Sequence, residues 1–180
     1  MMQMRNEQAV SPVVGVMLML VVTIIIAAVV SAFAGGLVGG TTKAPTATIQ
    51  ATYSQSHGMT ITHSGGDAIP LSTATIYVRP TKAFGADADK YSWVVNKSVI
   101  YTNQSLTFAT AKAFLPGDTA SISAANLTQV QLRTDGSGTS DSADPTYGFD
   151  YPSNIGLSFV IQFQDASGKI IGQGTVPITG

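Results

Sequence analysis

Residues 11–37 read SPVVGVMLMLVVTIIIAAVVSAFAGGL, and this stretch decides the architecture of the chain. No ionisable side chain occurs between Glu7 and Lys43, and over residues 13–38 only one threonine and one serine carry polar side-chain groups. As a helix, residues 13–38 would span about 39 Å, which exceeds the roughly 30 Å hydrocarbon core of a bilayer. The sequence therefore predicts a helix that is long enough to cross a membrane.

Both ends of this helix carry recognisable signals. Ser11 followed by Pro12 is typical of an N-cap and a first-turn proline. Glycines at positions 35, 36, 39 and 40 weaken the other end. We therefore expect the helix to end near these glycines and to be followed by a short polar segment.

Three interpretations of the apolar stretch are open. A secretory signal peptide would explain Arg5 and the small residues of Ala32-Phe33-Ala34, but the stretch is about twice the 7 to 15 residues that such a signal needs. Pro12 and Gly15 also lie at its front rather than beside the cleavage site. A lone membrane anchor is the second interpretation, and a helix that packs against copies of itself is the third.

Small residues recur every four positions along the stretch, and this spacing favours the third interpretation. Such rows form a groove that lets another helix approach closely within a membrane, where no hydrophobic driving force separates protein from lipid. One row is Ala27, Ser31, Gly35 and Gly39, and the adjacent row is Ala28, Ala32, Gly36 and Gly40.

Two segments resemble a known family. The segment QAVSPVVGVMLMLVVTIIIAAVVSAFAGG, residues 8–36, closely resembles the N-terminal region of archaeal type IV pilins, in which a short basic leader precedes a long apolar helix. The segment THSGGDAIPLSTATIYV, Thr62 to Val78, resembles a Gly-Gly-Asp-x-Ile-Pro-Leu stretch in the β domains of the same family.

The resemblance implies processing by a prepilin peptidase, which is a membrane aspartic peptidase that acts on the cytoplasmic side of the helix. By position the cut falls between Ala9 and Val10, so residues 1–9 would be the leader. A cut between Glu7 and Gln8 stays open, because a charged residue is commoner in the family where Gln8 stands.

The implied partners are further copies of the chain, the membrane before assembly, the peptidase and an assembly machinery. Bacterial pilins carry a glutamate in the first turns after the cut, but here the polar side chain in that place is Ser11. We therefore expect cohesion between helices to come from apolar packing. The ATP-driven step would belong to the machinery, since no G-x-x-x-x-G-K-S/T motif occurs in the sequence.

After residue 45 the pattern of the sequence changes. Residues 10–40 form the predicted assembly helix, residues 41–45 a hinge, and residues 46–180 a domain with the period-two alternation of half-buried strands. About seven strands without a convincing amphipathic helix predict an all-β, antiparallel, sandwich-like head. The expected strands are 46–53, 59–63, 72–79, 92–101, 127–134, 157–164 and 169–178, with a tight hairpin turn at Asp165–Gly168.

Composition excludes several classes of function. Nine basic and ten acidic residues leave the chain near neutrality, which argues against a nucleic-acid partner. Charged residues make up only 11%, so the surface must be rich in hydroxyl groups rather than ions. Because the chain contains no cysteine, disulfides, thiolate metal sites and cysteine nucleophiles are excluded together.

Candidate chemistry in the β domain is sparse. His57 and His63 are the only histidines, and no carboxylate partner accompanies them in the sequence. The acidic stretch over residues 135–145 lacks the alternating pattern of a calcium loop, so we interpret it as a solvated, mobile loop. Ser64 is not part of a nucleophile elbow, and Asp67 is expected to cap neighbouring backbone N–H groups. We expect neither enzyme activity nor a metal or other cofactor.

Three sequons for N-glycosylation begin at Asn96, Asn103 and Asn126. On an exported subunit they make glycosylation a hypothesis. The function that the sequence favours is a structural subunit of an archaeal type IV pilus at the cell surface, with bundled helices, outward β heads and a use in adhesion. The alternative is a monomeric, membrane-anchored β domain that binds a carbohydrate or solute.

Overall fold

The computed structural model describes residues 10–37 and 45–180. The chain divides into two compact units, one through Lys43 and the other from Ala44 onward, and each is described by itself. The predicted leader 1–9, residues 38–40 of the predicted helix and most of the predicted hinge 41–45 lie outside the described residues, so these boundaries stay predictions.

The first unit contains one helix, α1, over Val10–Leu37. Its 28 residues span about 42 Å. The helix begins one residue earlier than the N-cap that we assigned to Ser11, so Ser11 and Pro12 lie inside the first turn. Proline is tolerated there because the first N–H groups of a helix have no carbonyl partner within it.

The second unit is the β domain, and it contains eleven strands among the residues described. Short 3-10 helices at Lys82–Phe84, Ala88–Lys90, Lys97–Val99, Ala124–Val130 and Pro152–Asn154 connect several of them. The strands are β1 (Ala47–Ser54), β2 (Gly58–Gly66), β3 (Ile69–Pro70), β4 (Thr75–Pro80), β5 (Trp93–Val94), β6 (Tyr101–Thr102), β7 (Ala113–Phe114), β8 (Thr119–Ile122), β9 (Leu132–Arg133), β10 (Ser158–Gln164) and β11 (Ile170–Thr179).

Nine of these strands form one curled sheet in the order β6-β8-β2-β1-β11-β10-β4-β5-β9, and β3 pairs with β7. The long N-terminal helix and the all-β head that we expected are confirmed, but the strands outnumber the seven expected. The sheet is also mixed, because β1 and β11 pair in parallel at Tyr53–Ile178 and Ser54–Thr179. The two strands are far apart in sequence, so no hairpin constrains their direction.

Two predicted strands are wrong in part. Residues 92–101 contain only the two-residue strand β5 and the first residue of β6, separated by a 3-10 helix that Asn96 caps through its side chain. Residues 127–134 begin within the 3-10 helix Ala124–Val130 before the short strand β9. In both segments, side-chain capping and tertiary packing override the local preference for strand. The hairpin turn at Asp165–Gly168 is confirmed, with the Gly168 N–H donating to the Asp165 carbonyl at 3.0 Å.

The inner face of the sheet carries the hydrophobic core, and aromatic rings dominate it. Phe149 stacks on Phe159 with ring centroids 4.1 Å apart and meets Trp93 edge-on at 5.6 Å. A second group joins Phe108 and Phe114 at 4.9 Å. The outer face is polar, since threonine and glutamine side chains alternate there with the buried residues.

Strands β1 and β11 approach so closely that β11 requires glycine at two inward positions. A Cβ on Gly172 would lie 2.6 Å from the Ala47 carbonyl oxygen, and one on Gly174 would lie 2.6 Å from the Ile49 carbonyl oxygen. Because these distances are shorter than any real Cβ contact, the two glycines allow one half of the sheet to fold over the other.

Candidate assembly helix and candidate sites on the β domain

From Pro12 to Phe33, the surface of α1 is apolar on every side of the helix. Every side chain from Pro12 to Phe33 is exposed, and the exposed fractions of the large apolar residues range from 44% at Val22 to 76% at Met19. By length and composition this segment could cross a membrane. A helix that is apolar on all sides needs lipid or other helices around it.

The hydroxyl group of Thr23 does not prevent such an environment. The Thr23 hydroxyl donates a hydrogen bond to the Leu20 carbonyl oxygen at 2.9 Å. This bond satisfies the donor inside the helix, so Thr23 places no unpaired hydroxyl hydrogen in a hydrocarbon surrounding.

The structure places most of the predicted packing residues on α1. Ala27, Ala28, Ser31 and Ala32 are exposed helical residues. The backbone of Gly35 and Gly36 is helical too, whereas Gly39 and Gly40 lie outside the described residues. Four residues correspond to about 6 Å along the axis and slightly more than one turn, so each row stays on one side of the helix. The role of the two rows in packing stays a prediction.

The predicted processing site lies at the beginning of α1. Val10 is the first helical residue, whereas Ala9 and the alternative site at Glu7 and Gln8 fall outside the described residues. The cleavage position therefore also stays a prediction.

A known family matches the N-terminal part of the chain. Residues 8–49 match the model of the family described as archaeal type IV pilin, N-terminal. These residues form an archaeal type IV pilin N-terminal domain. The resemblance seen in residues 8–36 is thereby confirmed.

The pilin match ends inside β1, so it includes α1 but not most of the β domain. The second resemblance, over Thr62–Val78, lies beyond the matched residues and stays a prediction. No curated protein and no solved structure matches this chain. Sites on the β domain are therefore judged from their own geometry.

The three sequons differ in the freedom of their asparagine side chains. The half-buried Asn96 donates from its amide nitrogen to Gln129 Oε1 at 3.0 Å and accepts from the Ser98 N–H. The amide nitrogen of Asn126 donates to the Ser123 hydroxyl at 3.2 Å. Asn103 is exposed in the turn after β6, and its side chain has no hydrogen-bond partner among the described residues.

The two histidines have different surroundings and partners. His63 is buried, accepts the Gly65 N–H at Nδ1 and contacts the Asp67 carbonyl oxygen through Nε2 at 2.9 Å, so the network assigns the proton to Nε2. His57 is exposed and hydrogen-bonds to Ser54 and Ser56. Within residues 10–37 and 45–180, no cluster of three or more His, Asp or Glu could hold a metal ion.

Asp67 accepts a backbone N–H as expected, but the donor is distant in sequence. The N–H of Thr46 donates to Asp67 Oδ2 at 3.0 Å, and the Asp67 N–H donates to the Thr46 carbonyl oxygen. This pair of bonds fixes the beginning of β1 to the end of β2.

One carboxylate of the β domain has an unusual environment that the sequence did not indicate. The Tyr53 hydroxyl donates to Asp150 Oδ1 at 3.1 Å. Burial raises the pKa of Asp150 above its ordinary value, although the bond from Tyr53 opposes this shift. Burial, with a smaller contribution from the Asp150 charge, raises the pKa of Tyr53 as well. The pair connects β1 to the segment after Phe149 and does not resemble a catalytic set.

Proposed function

We propose that this chain is a structural subunit of an archaeal type IV pilus. After removal of residues 1–9 by a prepilin peptidase, α1 spans the membrane until assembly and then packs against the helices of other copies in the filament core. The β domains form the outer surface of the filament and serve adhesion. The filament is extracellular, and other proteins supply the assembly machinery.

The observation that carries this proposal is the fully exposed apolar surface of α1 inside a pilin N-terminal domain. Burying one large aliphatic side chain is worth roughly 1.5 to 3 kcal/mol relative to water, so α1 cannot stay exposed to water. Transfer from lipid to a helix bundle gains little hydrophobic energy. Close approach along the rows of small residues then supplies the packing that holds the copies together.

Recovery of the native protein tests this proposal. We expect filaments sheared from cells to contain the chain, and we expect N-terminal sequencing to begin at Val10. Recovery from the membrane alone as single copies would instead identify a monomeric anchored domain. A mature chain that begins beyond Ala34 would identify a secreted protein.

A pair of variants tests the packing rows directly. Ala28→Leu fills one row, whereas Val30→Phe adds bulk on the opposite side of the helix, two residues and about 200° away. We expect the first variant to insert into the membrane normally but to yield few filaments, while the second assembles. Equal filament yields from both would contradict the predicted packing face.

Glycosylation is proposed at Asn103 rather than at all three sequons. Its amide nitrogen is free and exposed, whereas those of Asn96 and Asn126 donate hydrogen bonds that a glycan would break. Mass spectrometry of peptides from the native protein should show a glycan on Asn103. We expect Asn103→Gln to remove it and Asn126→Gln to leave the glycan mass unchanged. A bare Asn103 peptide would end this proposal.

A further inference from the structure

Two cavities open on the polar outer face of the sheet, and both are lined by Thr175 of β11. The first has a volume of about 440 Å³ and extends over β1 and β2, where its polar side chains are Gln50, Thr52, Thr60 and Thr62. The second has a volume of about 400 Å³ and extends over β10 and β4. Its polar lining comprises Gln162 of β10, Arg79 of β4, Gln173 of β11 and Asp89 of the 3-10 helix Ala88–Lys90. We call the two cavities together the Thr175 groove.

The first half of the groove presents hydroxyl groups in a regular array. Thr52 lies directly opposite Thr60, and Gln50 lies directly opposite Thr62. Neighbouring strands are about 4.8 Å apart, so the side chains of each pair are adjacent. None of the four side chains hydrogen-bonds to another described residue. Threonine has few rotamers, so little conformational entropy is lost when a ligand binds to this array.

The second half contains a glutamine amide that is fixed in place. Gln162 is only 9% exposed although it lies on the outer face. Its nitrogen donates to Gln173 Oε1 at 3.0 Å, and its oxygen accepts from Gln164 Nε2 at 3.4 Å. One N–H and one carbonyl lone pair of Gln162 remain for a ligand. A buried amide that is held by two others is a rigid recognition group.

The charges around the groove argue against an anionic ligand. Arg79 and Asp89 are the only charged residues that line it, both at one end, and they offset each other. Recognition of phosphate, sulfate or carboxylate groups uses several Arg or Lys side chains. The groove offers neutral groups instead, and each threonine hydroxyl and glutamine amide can both donate and accept hydrogen bonds.

A protein partner also fits poorly. The cores of protein interfaces are enriched in aromatic residues and methionine, and no aromatic or methionine side chain lines the groove. Its apolar contributions come from aliphatic groups, namely Ile49, Ala51, Pro80, Val160 and Gly174 together with the threonine methyl groups. Such surfaces suit the C–H groups of a sugar ring.

We propose that the Thr175 groove binds a segment of an uncharged polysaccharide, a chain whose hydroxyl groups pair with the threonine and glutamine groups. The inference rests on the adhesive use proposed above and gives it a site and a ligand class. Individual contacts of this kind are weak because each replaces a contact with water. Display of many copies on one filament would convert weak single binding into strong attachment.

The experiment uses the full chain in detergent, so failure of filament assembly does not affect it. Neutral hexasaccharides, namely cellohexaose, chitohexaose and maltohexaose, are titrated against the isotope-labelled chain and followed by NMR, with anionic hexaguluronate as the comparison. We expect at least one neutral sugar to shift the amide signals of Thr60, Gln162, Gln173 and Thr175. Hexaguluronate should leave them unchanged.

Two variants with one control locate the binding. Thr60→Val and Thr175→Val keep the side-chain shape but remove the hydroxyl, and each should weaken binding about fivefold for one lost hydrogen bond. Thr119→Val makes the same change on the same face, opposite Thr62 but outside the groove, and should bind as the original chain does. Absence of shifts with every neutral sugar, equal binding of hexaguluronate, or equal weakening by Thr119→Val would overturn the proposal. Shifts that appear only as the chain itself is concentrated would identify a second copy as the occupant, which also overturns it.

Discussion

Helix α1 and the β domain use the same kinds of apolar residue in opposite arrangements. Ile24, Ile25 and Ile26 of α1 are each more than half exposed, whereas Ile61 and Ile76 of the β domain are fully buried. The β domain therefore contains its own core, while α1 depends on lipid or on other helices. The comparison teaches that the stability of the β domain does not need α1, so mutations should separate this stability from the membrane insertion and assembly proposed for α1.

The largest effect on stability should come from removing Phe149, whose ring contacts four others in the core. Phe149→Ala should cost about 3 to 5 kcal/mol, because a large cavity replaces the ring. The midpoint of thermal unfolding should fall by about 10 °C or more. Fluorescence of Trp93, the single tryptophan, reports unfolding of the β domain in the detergent-solubilised chain.

Tyr151→Ala is the matched control, since this aromatic residue is 37% exposed. It should lower the midpoint by far less. Membrane insertion of α1 should be the same in both variants. A loss of insertion in Phe149→Ala would show that the two parts are not independent.

The segment around Phe149 also shows where the sequence was insufficient. Alternation of residue types correctly located the long strands β1, β10 and β11, because each has one buried and one exposed face. The stretch before Phe149 is rich in glycine, serine and aspartate and indicated only a solvated loop. Hydrogen bonds to residues distant in sequence fix this stretch to the rest of the β domain. The Trp93 indole N–H donates to Asp141 at 2.9 Å, and the Gln131 side-chain oxygen accepts from the Phe149 N–H. No local pattern encodes such contacts.

The two candidate sites also differ in how far the sequence could predict them. The candidate assembly helix was predictable as a long apolar helix, because hydropathy, small-residue spacing and the family pattern all lie within one continuous segment. The Thr175 groove combines side chains from β1, β2, β4, β10 and β11, which come together only through the sheet order. The parallel contact between β1 and β11 was not expected, so the sequence could not place Thr175 and Thr52 at the same cavity.

A charge in α1 should impair membrane insertion and leave the stability of the β domain unchanged, whereas the Phe149 substitution should do the opposite. Ile25→Lys places an ammonium group near the centre of the predicted span and should cost about 3 kcal/mol on insertion into a bilayer. We expect loss of membrane insertion and of filaments, with an unchanged unfolding midpoint of the β domain. Ile25→Leu should behave as the original chain. A lower midpoint in the lysine variant would contradict the separation of the two parts.

Gly174 tests the close approach of β1 and β11 within the β domain. A methyl group at this position would meet the Ile49 carbonyl oxygen, so Gly174→Ala should cost about 1 to 3 kcal/mol through overpacking. Gly180→Ala is the control, because its Cβ would lie 3.5 Å from Ile155 Cδ1, an ordinary contact. Urea unfolding measures both variants. If the two midpoints agree, β11 does not need glycine where it crosses β1.

The smallest effect concerns Asp150 and is visible only as a function of pH. Folding raises the pKa of this carboxyl through burial, so its stabilising contribution is fully present below the unfolded pKa. The contribution is lost as the pH rises through the folded pKa. Asp150→Asn keeps an acceptor for the Tyr53 hydroxyl but cannot ionise. The midpoint of thermal unfolding of this variant, minus that of the original chain, should therefore increase from about pH 3 to about pH 6. Asp135 and Asp165, whose pKa values are lowered by hydrogen bonds, are present in both proteins and cancel in this difference. A difference that stays constant or decreases over this range would mean that folding does not disfavour the ionised form of Asp150.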